Sequence, residues 1–86
     1  MEPLTPEALK TLPLYGFARL IRLYWSKVGY AARPYIDALS SLTTINDKYG
    51  CEDARMIVAY LLGNLTTFRG PEARLIKAEL NRRLKS

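Results

Sequence analysis

Along almost the whole chain, apolar residues return every three to four positions. That spacing lays them along one side of an α-helix, and a strand, with its period of two, cannot use it. The pattern predicts an all-α fold, a compact bundle of four to five short helices. Proline and glycine divide it. Thr5-Pro6-Glu7 has the chemistry of a helix start: threonine can cap, proline suits the first helical position, and glutamate complements the amide-rich end. Pro13 ends or redirects this first helix. From about Pro13 to Ser26 a second helix sets Leu14, Phe17, Ala18, Leu20, Ile21, Tyr24 and Trp25 on one broad face, with Arg19, Arg22 and Ser26 opposite. Ser26-Lys27-Val28-Gly29 breaks the pattern. Around Pro34 a third helix begins, about Ala32 to Leu42, presenting Tyr35, Ile36, Leu39 and Leu42.

Thr43 to Gly50 reads as a loop, because Asn46, Asp47 and Gly50 are turn residues that tolerate left-handed backbone or bond their own chain. A fourth helix, about Glu52 to Leu65, aligns Ala54, Ile57, Val58, Leu61, Leu62 and Leu65, with the two acids at its start. Ala59 and Gly63, four apart on its other side, read as a seat for tight packing against a neighbouring backbone. Arg69-Gly70-Pro71-Glu72 repeats the start chemistry, with Gly70 as cap, and launches a last helix to about Leu84 with Ala73, Ile76, Leu80 and Leu84 buried.

At 86 residues a chain buries roughly 60 to 65% of its unfolded surface, enough for one core and not two, so residues 1–86 read as a single helical domain. Cys51 is the only cysteine; an intramolecular disulfide is impossible, and a reducing compartment fits best. The first cation is Lys10 and Pro3, Pro6 and Pro13 interrupt the amino end, which is unlike a secretory leader. The longest apolar run, Met56 to Gly63, is far short of the roughly 20 residues that span a bilayer, and no membrane role is expected. Asn64-Leu65-Thr66 matches a glycosylation sequon, which matters only in secreted loops.

Histidine is absent, which removes the commonest general base and the commonest metal ligand together. Cys51, at the start of the fourth helix, would feel a positive field, but Glu52 and Asp53 follow it and oppose ionisation. Those two carboxylates are adjacent; on a helix their directions differ by about 100° and they diverge. Phosphate-loop, dinucleotide and zinc-protease motifs are missing. The expectation is a non-enzyme with no cofactor and no metal.

Thirteen lysines and arginines against eight acids leave a charge of +5, which permits a nucleic acid, an acidic protein or an anionic surface as partner. The cations gather late: from Arg69 to Ser86 there are six, against two acids. Arg69, Arg74, Lys77, Arg82 and Lys85 form the candidate nucleic-acid or partner-binding set, and the fourth and fifth helices superficially resemble a helix-turn-helix. The competing reading is a solvated face whose cations suit a helix carboxyl end. Six tyrosines supply a second candidate set: Tyr15 and Tyr60 project from the main stripes, with Arg22 nearby, as possible protein contacts, although satisfaction at a helix interface is the favoured reading of each.

The series Trp25, Val28, Tyr30, Ala31-Ala32, Pro34-Tyr35, Ala38, Tyr49-Gly50, Asp53-Ala54, Ile57-Val58, Tyr60-Leu61-Leu62, Asn64, Phe68-Arg69-Gly70, Ala73-Arg74 and Ile76-Lys77 resembles small uncharacterised helical proteins of bacteriophages and mobile elements. The resemblance implies a short interaction protein that binds a host protein or nucleoprotein complex, such as an anti-CRISPR-like inhibitor. A basic chain disfavours DNA mimicry as its means. Two further readings stand beside this one: a small basic nucleic-acid-binding regulator using the last helix, and a self-assembling structural phage component joined through the Ala59 and Gly63 face.

Overall fold

A computed structural model describes residues 4–86; Pro3 lies outside them. Helix α1 (Pro6–Lys10) and helix α2 (Leu14–Tyr24) are followed by a 3-10 turn (Tyr30–Ala32) and helix α3 (Arg33–Leu39). A hairpin of β1 (Lys48–Tyr49) and β2 (Glu52–Asp53) then leads into helix α4 (Ala54–Gly63) and helix α5 (Pro71–Lys85). The described residues are mostly helical, with five α-helices among them, and the all-α expectation needs correcting for the small antiparallel ribbon.

Local chemistry explains most boundaries. Thr5 is extended, and its hydroxyl oxygen accepts the Ala8 N–H at 3.2 Å, with Pro6 as the first helical residue. Helix α2 has no side-chain cap; its Leu14 and Tyr15 amides donate instead to the Thr43 and Leu42 carbonyls at 2.9 and 2.8 Å. A neighbouring segment thus satisfies donors that the helix itself leaves open. Helix α3 stops at Leu39 rather than Leu42. The next residues close tighter turns, Ser41 N–H to Ala38 and Leu42 N–H to Leu39, so Leu42 still enters the core. Helix α4 likewise ends at Gly63 rather than Leu65, yet Leu65 is buried.

The hairpin overturns the expected start of the fourth helix. Gly50 takes φ +63°, and Cys51 beside it has negative φ. Positive φ at only the first central residue is what a two-residue type II′ turn requires. Glu52 and Asp53 therefore pair with Tyr49 and Lys48 as strand residues, and Cys51 sits exposed at the turn rather than on a helix end. Ahead of the ribbon, the Asp47 carboxylate accepts the Thr43 and Thr44 amides at 2.9 and 3.1 Å and the Thr44 hydroxyl at 3.0 Å. The Thr44 and Thr43 backbone donors hold its carboxyl below the usual aspartate range. Its carbonyl accepts the Ala54 N–H at 2.9 Å, which fastens this loop to the first residue of α4.

Helix α3 packs between α2 and α4, and α5 lies against α4, α2 and α1. The buried apolar residues form one cluster, in which Phe17, Ile21, Ile36, Leu39, Ile57, Leu61 and Ile76 are almost wholly enclosed. Each such side chain contributes about 1.5 to 3 kcal/mol on burial. Trp25 stacks on Phe68 with ring centroids 5.4 Å apart, bringing the end of α2 against the segment before α5. Two expectations of burial fail. Leu84 is half-buried, and Ala59 and Gly63 are exposed, with nothing within 4 Å of where a Gly63 Cβ would stand. No other segment of the described chain packs at Gly63.

Candidate functional site

Gly70, at φ +116°, turns the chain into α5 with backbone geometry that an L side chain rarely adopts. Pro71 follows as the first helical residue and has no N–H to satisfy, and the Arg74 N–H closes the first turn on the Gly70 carbonyl at 3.0 Å. No side chain caps this end. The Glu72 and Ala73 amides lie within the first turn, where a helix supplies no carbonyl partner and carries partial positive charge.

A hollow of about 260 Å³ opens there, and its wall includes Thr66, Phe68, Arg69, Gly70, Arg74 and Lys77. Arg74 and Lys77 reach it together because residues three apart share a helix face. Arg69 comes from the preceding segment, its Nε donating to the Thr66 carbonyl at 3.4 Å. The Lys77 ammonium stands 5.8 Å from the centre of the Phe68 ring. Partial burial, and then the Arg69 charge, push the Lys77 amine below the ordinary lysine value of 10.5. Among the described residues no carboxylate forms an ion pair with any of these three cations. Like charges gathered in this way, at the positive end of a 15-residue helix, favour an anion in the hollow.

Arg82 and Lys85 lie farther along α5 and do not line the hollow. Lys85 is exposed in the last turn, while Arg82 grips Glu79 through two bonds of 2.8 and 2.6 Å. Glu79 is only 7% exposed and also accepts Arg83 Nε at 2.8 Å. Hydrogen bonding from Arg82 is the main reason its carboxyl lies below the usual range; burial opposes that shift and Arg83 adds to it. Arg83 donates further to the Leu9 and Lys10 carbonyls at 2.8 and 3.2 Å and lies 4.8 Å from the Phe17 ring centre. Arg55 does the corresponding work at the other helix end, donating to the Leu84 and Ser86 carbonyl oxygens at 3.0 and 2.9 Å. Guanidinium groups thus cap the carboxyl ends of α1 and α5.

Tyr15, Arg22 and Tyr60 are not brought together. Arg22 forms an ion pair with Asp37, and Tyr60 lies against Tyr35, ring centroids 5.7 Å apart. Positions two apart on α3 point about 200° away from each other, so these contacts lie on opposite sides of that helix. Tyr15 and Tyr60 are both about half exposed, at 47% and 49%.

The likeness to a helix-turn-helix does not hold, since seven residues, Asn64 to Gly70, separate α4 from α5, where that motif uses a turn of three or four. No group of three or more metal-ligating acids, cysteines or histidines occurs among the described residues, and none of the described helices is long and apolar enough to cross a membrane. Comparison with family models, with curated proteins and with solved structures finds no match to this chain.

Proposed function

We propose that this chain is a non-enzymatic binding module that holds nucleic acid by its phosphates at the amino end of α5. The observation that supports this reading is the convergence of Arg69, Arg74 and Lys77 on one hollow beside an uncapped helix start. A phosphodiester supplies the charge and the acceptor oxygens that these groups lack, and guanidinium forks match its geometry. Phosphate contacts fix position without reading sequence, so the module binds duplexes of differing sequence with similar affinity. The resemblance to phage and mobile-element proteins adds a setting: a bacterial cytoplasm and a host nucleoprotein whose exposed phosphates the hollow engages, as an inhibitor of the anti-CRISPR kind would.

The test is fluorescence anisotropy on a random-sequence duplex, titrated with salt. Three neutralised phosphates give a slope of log affinity against log salt near −2.7, about 0.9 per contact. Reversing Arg69, Arg74 and Lys77 to glutamate should flatten that slope, while Lys85→Glu, remote from the hollow, should leave most of it. Absence of binding at low salt, or an unchanged slope in the triple variant, rejects the reading.

A further inference from the structure

A second concave surface, of about 470 Å³, lies where α3, α4 and the hairpin meet. Its chemistry is the inverse of the cationic hollow. Pro34, Tyr35 and Ala38 come from α3, Ile57 from α4, and Tyr49, Cys51 and Glu52 from the hairpin. Residues opposite one another in an antiparallel pair share a face of the ribbon, and neighbours along a strand alternate. The register pairs Tyr49 with Glu52 and Lys48 with Asp53. The first pair lines the groove, whereas Asp53 lines a separate depression beside Asp47 and Arg55. Glu52 is therefore the one charge in the groove wall, and it makes no ion pair among the described residues.

Aromatic faces accompany that carboxylate. Tyr35 and Tyr60 form a tilted pair, and Tyr49 and Tyr60 are 47% and 49% exposed. Met56, 48% exposed and one turn before Tyr60, continues the apolar surface along α4. Tyrosine rings with a carboxylate form the environment that attracts an organic cation, through ring quadrupoles on one side and full charge on the other. On a chain of net charge +5 the general field repels cations, so this groove is a local inversion of it. The strip running on to Met56 needs more apolar surface than a free small cation has.

From this charge complementarity we infer that the groove docks a partner protein's segment bearing an arginine or lysine with apolar neighbours. The cationic side chain lays its stem on Tyr35 and Tyr49 and brings its head to Glu52, while the flanking apolar residues cover Tyr60 and Met56. This site is independent of the cationic hollow, and either can fail without the other.

The experiment titrates the full chain with a fluorescein-labelled peptide, one arginine between leucines in a glycine–serine frame, and with the same peptide carrying neutral citrulline in place of arginine. The arginine peptide should bind, and the citrulline peptide about five- to tenfold more weakly. Glu52→Gln and Tyr49→Leu should each weaken the arginine peptide by a similar factor, with circular dichroism showing both variants folded. Alkylation of Cys51 by iodoacetamide, a reporter inside the groove, should slow when the peptide is bound. Reversal of Arg69, Arg74 and Lys77 to glutamate, which lifts the general repulsion of cations, should not reduce the preference for arginine over citrulline. No binding at about 1 mM peptide, equal binding of the two peptides, or indifference to Glu52→Gln overturns the inference. A doubled molecular mass in light scattering, with Cys51 protected before any peptide is added, overturns it in favour of a second copy.

Discussion

The two ends of α5 carry similar numbers of cations and use them in opposite ways. At the amino end Arg69, Arg74 and Lys77 surround a hollow with no carboxylate partner among the described residues. At the carboxyl end Arg82 and Arg83 close on the buried Glu79, and Arg83 continues to the carbonyls of α1. The difference comes from one acid placed three and four residues before two arginines, a spacing that brings all three side chains to one side of the helix. A cation whose donors are satisfied inside the molecule contributes to stability, and one without a partner is available to a ligand. Counting charges along the helix conceals this division.

Four perturbations separate the ends, starting with the largest effect. Glutamates in place of Arg69, Arg74 and Lys77 should lower duplex affinity at low salt by at least about 100-fold. They should leave the melting temperature little changed, because acids near a helix start are favourable, which offsets the repulsion that three like charges still exert on one another and on Glu72. Loss of stability in that variant would mean that the amino end is structural after all.

Glu79→Gln should have the converse signature, a loss of about 2 to 3 kcal/mol in urea unfolding with affinity per folded molecule unchanged. That figure lies below the 3 to 5 kcal/mol typical of a broken buried pair because Arg82 is half exposed. Against the roughly 4 to 13 kcal/mol that a chain of this length holds in total, it is a large fraction. The Glu79 carboxyl is lowered in the folded state. Its contribution is therefore complete above the unfolded glutamate value and fades as acid carries pH down through the folded one. An acid titration of wild type against Glu79→Gln should show this difference disappearing.

Arg55→Ala should cost about 1 to 2 kcal/mol, since it uncaps two carbonyls near the end of α5, and it should leave duplex binding alone. The smallest effect is on Lys77. With its folded value depressed, the unfolded chain binds more protons in the interval just below 10.5, so stability rises with pH across that interval. A phosphate in the hollow should raise the Lys77 value towards normal. Side-chain NMR titration with and without inorganic phosphate measures both states, and an unmoved resonance would place the anion elsewhere.

Features decided by near neighbours were legible in the sequence. Thr5-Pro6 and Gly70-Pro71 start helices as their chemistry requires, and the stripe of α2 is buried at Leu14, Phe17, Ala18 and Ile21 and half-buried at Leu20 and Tyr24. The hairpin was hidden because strands of two residues are too short to show an alternation, and two acids before an apolar run look like a helix start. Arg69, Arg74 and Lys77 could be nominated from charge alone, but their separation from Arg82 depends on Glu79 being buried. The 79, 82, 83 spacing was a usable signal for that pairing. Nothing local announced that Arg83 reaches Leu9 or that Tyr49 shares a groove with Tyr35, since these contacts depend on how distant segments pack.

The bond from Arg83 to Leu9 joins positions 74 residues apart. It therefore has a consequence for the order in which the chain assembles. Closing so long a loop carries an entropic cost that short-range contacts avoid. Helix α1, at five residues, is too short to persist by itself and gains a stable carboxyl end only once the far end of α5 has arrived. It should then be the last element to dock and the first to undock. Amide exchange at Leu9 should outpace that at Ile57, and a brief opening of α1 would uncover the part of α5 it packs against while the rest of the core stays shut.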